Sequence, residues 1–159
     1  MKKKFITENF VLFALGIFSS FSLPPFNFFF INFFTLSIFF IFLFKKLKKE
    51  KNFSFFFNGW SFGFGYFLTN LYWITISLTF DENLNFLIPL ALILIPSFLA
   101  LFYGLITFLF CLLNPKNLLS AFFIFSLLFG VVEYIRGTIL SGFPWNLFVY
   151  SFSENLNFI

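Results

Sequence analysis

"FNFFFINFFTLSIFFIFLFKKLKKEK", Phe26 to Lys51, decides what kind of protein this is. The first nineteen residues, Phe26 to Phe44, carry no charge, and five lysines then crowd into the next seven positions. About 20 consecutive apolar residues make a helix long enough to cross a membrane. A lysine cluster at the end of such a run marks the side that stays in the cytosol. The stretch therefore reads as one transmembrane helix followed by a cytosolic loop.

The rest of the chain repeats the pattern. Apolar runs at 5–23, 26–44, 55–78, 86–113 and 118–136 read as five spans, with a sixth beginning at 156–159. Pro24 and Pro25 make the turn between the first two, because paired prolines remove donors and disfavour helix before them. "DENLN" closes the third run and "NPKN" the fourth, in which Pro96 predicts a kink. Lys2 to Lys4 and the first run could pass for a cleaved signal peptide, but Pro24-Pro25-Phe26 lacks small residues for cleavage. The first run is therefore read as a retained helix.

Composition agrees. The 159 residues are 60% hydrophobic and 10% charged, with 36 phenylalanines, and the mean hydropathy is +0.98. A soluble domain carries about 25% charged residues, so this chain could not cover a water-facing surface. The expected fold is an all-α integral membrane protein, a polytopic bundle of about five transmembrane helices. Nine lysines fall in the N-terminal segment and the second and fourth loops, all on one side if the spans alternate. The N-terminus is then cytoplasmic, and residues 137–155 form a segment at the outer face.

Several chemistries are excluded or unsupported. There is no histidine and a single cysteine, Cys111, which removes Ser-His and Cys-His catalysis and an internal disulfide. No metal and no cofactor is expected. The net charge of +4 comes from loop lysines and does not indicate nucleic acid. Cys111, near the cytosolic end of the fourth span, is read as an inert thiol.

The polar exceptions cluster in "EYIRGTILSGFPWN", Glu133 to Asn146. Glu133 and Arg136 are three residues apart on one helical face. At 1.5 Å per residue from Leu118 they lie ~22 and ~27 Å above the cytosolic surface, in the outer quarter of the membrane. One reading is a self-neutralising pair at a helix end, with the arginine snorkelling to head groups. The other is a contact inside the bundle, or a guanidinium that holds a lipid phosphate. Gly142, Pro144 and Trp145 then predict a rigid turn lying along the interface. On the third span, Gly59 and Gly63 have the spacing that lets helices approach closely, and packing within the bundle is expected ahead of homodimerisation. Tyr66, Tyr72 and Trp73 are expected in an outer aromatic belt, and Asn70 to bond to a neighbouring span.

Three segments together resemble a known family. "LPPFN" after the first helix, "GxxFGFGYFLTNLYWITISL" in the third and "VEYIRGTILSGFPWNLFVYS" after the fifth are similar to the membrane part of bacterial apolipoprotein N-acyltransferase. The resemblance implies an enzyme that transfers an acyl chain from a membrane phospholipid to the N-terminal diacylglyceryl-cysteine of an apolipoprotein. It implies a bacterial inner-membrane location, a catalytic side facing the periplasm, and a catalytic Glu-Lys-Cys set in a nitrilase-like domain. That domain is absent here, so no catalytic residue is expected in the chain, which reads as an N-terminal fragment inactive alone and as a monomer. Glu133, Arg136 and Trp145 are the candidates for facing substrate or lipid. Pro24, Pro25, Gly59, Gly63, Gly142 and Pro144 are structural candidates. The competing readings are a small transporter or channel subunit and a non-catalytic membrane anchor.

Overall fold

A computed structural model describes residues 2–49, 53–139 and 146–152. Among them there are helices and turns and no strand. The helices are α1 (Lys2–Ser20), α2 (Phe30–Leu47), α3 (Ser54–Asn70), α4 (Ile74–Leu78), α5 (Ile88–Leu113) and α6 (Leu118–Ile139), with a 3-10 helix at Glu82–Leu87 before α5. Phe30–Leu47, Asn85–Leu113 and Leu118–Ile139 are long and apolar enough to cross a membrane. The other two long helices fall short for simple reasons: α1 starts with lysines and carries Glu8, and α3 has 17 residues.

Local chemistry sets most of the helix ends. Asn114 adopts the left-handed conformation (φ 47°, ψ 56°) after Leu113, and Pro115 prevents continuation, a common helix stop. Three residues later the Asn117 side chain accepts from the Ser120 N–H at 2.7 Å, capping the start of α6. Asp81 does the same for the 3-10 helix, accepting from the Asn83 N–H at 2.9 Å. Pro96 lies inside α5, which continues through it.

Two boundaries differ from the sequence reading. The first turn is longer than "LPPF": α1 ends at Ser20 and α2 begins at Phe30, with a cis bond between Pro24 and Pro25. The third run, expected to stay helical to residue 78, breaks after Asn70, and 74–78 form a separate short helix. At the break the Asn70 carbonyl, left over at the helix end, accepts from the distant Asn146 Nδ2 at 3.2 Å.

α3 occupies the middle, packed tightly against α1 on one side and α5 on the other. Glycine makes this possible. A methyl group on Gly59 would collide with the Tyr103 carbonyl and the Thr107 hydroxyl of α5. On the opposite face, Gly65 meets the Phe13 backbone and Gly16 the Phe62 backbone. Within a membrane, where lipid offers as much apolar contact as protein, such close approach and buried polar bonds hold helices together.

α6 packs on α5, and α2 on α1. Aromatic rings fill the space between them. Phe39 of α2 stacks on Phe62 of α3 with centroids 4.4 Å apart, and Phe125 and Phe129 of α6 meet at 4.9 Å. Each such pair is worth roughly 0.5–1.5 kcal/mol beyond the area it buries. The outward faces carry exposed apolar side chains such as Phe10, Phe34, Phe123 and Leu127, the surface a lipid-embedded bundle presents.

Candidate functional site

The predicted pair is the centre of a buried polar network. Arg136 is 0% exposed although it lies in the last turn of α6. Its Nη2 donates to Glu133 Oε1 at 2.8 Å and its Nε to the same oxygen at 3.1 Å. The Tyr103 hydroxyl, from α5, donates to that oxygen at 3.0 Å. The other carboxylate oxygen accepts from the Phe148 backbone N–H at 3.0 Å. Four donor groups from three parts of the chain therefore converge on this carboxylate, three of them on Oε1 and one on Oε2. The guanidinium also lies 4.9 Å from the Phe67 ring centroid, a cation–π contact with α3.

The two residues do pair with each other at the helix end. Arg136 does not snorkel; it faces the bundle interior. A buried charge needs a partner and further hydrogen bonds to be tolerable, and both are present.

The network captures the segment after α6. Asn146 has positive φ (43°), which asparagine tolerates better than most residues. Its carbonyl accepts from the Tyr66 hydroxyl at 3.0 Å and from Arg136 Nη2 at 3.5 Å. The Phe148 ring stacks on Tyr66 at 4.5 Å. Farther on, Ser151 accepts from Asn32 Nδ2 at 3.2 Å, and Asn32 Oδ1 accepts from Ser19 at 2.7 Å. Residues 146–152 are thereby fastened to α2, α3 and α6, and through Asn32 to α1.

Two expectations on α3 need correction. Tyr66 is not in an aromatic belt; it is fully buried, because its hydroxyl bonds to Asn146. Asn70 does not bond a neighbouring span through its side chain: Nδ2 is buried without a partner, and the backbone carbonyl makes the contact. Tyr72 and Trp73 are exposed. Gly59 and Gly63 face Tyr103 and Ala100 of α5. Cys111 is half-buried on α5. Pro24 and Pro25 line a cavity beside Asn70. Gly142, Pro144 and Trp145 lie outside the described residues.

A second network went unread. Lys46 belongs to the cluster interpreted as loop charge, yet it is 6% exposed. Its Nζ donates to Glu8 Oε2 at 2.7 Å and to Asn58 Oδ1 at 2.8 Å. Asn58 Nδ2 and the Ser61 hydroxyl both donate to Asn9 Oδ1 at 3.1 Å. This ties α1, α2 and α3 together at the opposite end from Arg136. The available signal was Glu8, an acid inside an apolar run with no partner in sequence except Lys4.

Fold and site define an all-α membrane bundle with an ion-paired polar network at each end. Residues 15–159 match the family described as the apolipoprotein N-acyltransferase N-terminal domain, and the chain belongs to that family. An apolipoprotein N-acyltransferase of Allorhizobium ampelinum is 33% identical over 145 residues, 86% of this chain and 27% of that protein. One of Brucella melitensis is 40% identical over 94 residues, 58% of this chain and 18% of the relative. One of Rhodopseudomonas palustris is 42% identical over 100 residues, 62% and 18% of the two chains. The chain thus spans about a quarter or less of the curated relatives it matches.

Proposed function

We propose that this chain is the membrane part of an enzyme that moves an acyl chain from a phospholipid to the N-terminal diacylglyceryl-cysteine of an apolipoprotein. The observation that carries this reading is the family match over 15–159. In it, the Lys46 end of the bundle lies at the cytosolic face of the bacterial inner membrane and the Arg136 end at the periplasmic face. The Glu133–Arg136 network holds residues 146–152 at that outer end, where the reaction takes place. The catalytic Glu-Lys-Cys set belongs to the remaining three quarters or so of such proteins, and this chain transfers no acyl group alone.

Lipid access has support in the fold. α2 and α6 both line an apolar groove of about 850 Å³, walled by Phe33, Leu36, Phe122 and Phe129 and reaching Glu133. That is ample for an acyl chain entering from the bilayer. A transport role has less support, because Asn32, a buried polar residue of α2, is engaged by Ser19 and Ser151.

The test uses liposomes with a phospholipid labelled in its acyl chains and a peptide starting with diacylglyceryl-cysteine. The chain alone is expected to form no N-acylated peptide. The complete enzyme, carrying this chain as its membrane part, is expected to form it. N-acylation by the chain alone, or none by the complete enzyme, would contradict the reading.

A further inference from the structure

The groove lined by α2 and α6 has two unlike ends. At one lies Glu133, the only charged residue among those described on its walls. The other end is walled by Ile41 and Phe122 and reaches Leu118 at the start of α6. Phe40 and Phe122 meet there with centroids 5.9 Å apart. From that contact α2 runs on to Lys45 and the residues after it, and α6 runs back to Lys116, two residues before Leu118. Lys45 lies one helical turn beyond Ile41, on the same face of α2. Lys48 Nζ is 4.7 Å from the Phe44 ring centroid, and Phe44 stacks on Phe40 at 6.1 Å. Lys45, Lys48 and Lys116 are all exposed. Little balances their charge: Glu8, the one acid at this end among the described residues, is taken by Lys46 at 2.7 Å and Lys4 at 3.7 Å.

We propose that the lysine end of this groove holds a resident anionic phospholipid of the leaflet it meets. Its phosphate lies among Lys45, Lys48 and Lys116, and a tail lies along Ile41 and Phe122. Charge complementarity selects that occupant: three cations from two elements stand at the mouth of an apolar groove, and an anionic amphiphile matches both parts. Lysines close to a membrane surface attract anionic lipids, each by about a factor of five. The site is at the opposite end of the bundle from Glu133 and Arg136. One leaflet is half of a hydrocarbon core about 30 Å thick, so the tails stop midway and leave the Glu133 end open. The inference needs only a membrane-embedded bundle; it depends neither on acyl transfer nor on which way the bundle faces.

The test is lipid retention by native mass spectrometry of the complete enzyme that carries this chain, with no activity readout. Dioleoylphosphatidylglycerol is compared with dioleoylphosphatidylcholine, which has the same tails and phosphate but no net charge. The anionic lipid should be retained roughly tenfold better, from lysines that contribute about a factor of five each before salt screens them. Lys45→Gln, Lys48→Gln and Lys116→Gln together should erase most of that preference. Lys2→Gln, Lys3→Gln and Lys4→Gln together remove the same charge from α1, which does not line the groove, and should keep it. Equal retention of the two lipids by the unaltered enzyme, as when a helix from its remaining part fills the groove, would overturn the proposal, and that comparison needs no variant. So would two triple variants that behave alike, because the preference would then come from diffuse charge or from another place.

Discussion

Arg136 Nη2 lies 2.8 Å from Glu133 Oε1 one helical turn earlier, with the arginine fully buried. The pair is part of the bundle's interior, and it joins three elements. Glu133 receives Tyr103 from α5 and the Phe148 N–H from the following segment, while Arg136 covers Phe67 of α3. Removing either member alone leaves a buried charge uncompensated. Glu133→Ala is expected to destabilise the protein by about 3–5 kcal/mol. Replacing both by leucine should cost less than the sum of the single changes. Thermal unfolding in detergent of the two singles and the double checks this.

In the complete enzyme, Arg136→Ala should lower apolipoprotein acylation while the protein still inserts in the membrane. The reason is positional: Arg136 and Glu133 hold residues 146–152 at their end of the bundle, the outer end in the proposed function. Acylation and membrane fractionation measured on the same cells provide the check, and wild-type acylation would show that the network is only structural.

The Lys46 end allows a sharper contrast. Lys46→Met breaks a buried bridge to Glu8 and Asn58, and about 3–5 kcal/mol should be lost. Lys48→Met removes a neighbouring lysine that makes no such bridge, and its effect should stay within ~0.5 kcal/mol. Melting temperatures of the two variants separate a core lysine from a loop lysine.

Two glycines test the helix packing. Gly59→Ala drives a methyl into the Tyr103 carbonyl, so α3 and α5 must separate, at roughly 1–3 kcal/mol. A methyl on Gly130 meets nothing within 4 Å, and Gly130→Ala should be neutral or stabilise α6 by up to about 1 kcal/mol. Opposite shifts in melting temperature are the expected result.

The sequence disclosed what depends on contrast. Glu133 and Arg136 stand out because little around them is charged, and the helical class follows from long uncharged runs. Asn114-Pro115 and Asn117 end and start helices through local chemistry, so that boundary was legible to within a residue. Tertiary contacts were not. Lys46 looks like Lys45 and Lys48 until Glu8, 38 residues away, is brought to it by packing. The break after Asn70 falls in largely apolar sequence, and the carbonyl it frees is taken up by Asn146, 76 residues later. Tyr66 reads as an interfacial tyrosine for the same reason: its partner is that same distant asparagine.

The central claim is that the Arg136 end of the bundle faces out of the cell and the Lys46 end faces in. It is tested most directly by fusing alkaline phosphatase, active only outside the cytosol, after Tyr150, and in parallel after Lys49. The account predicts activity for the first fusion and none for the second. An inactive fusion at Tyr150 together with an active one at Lys49 would contradict it.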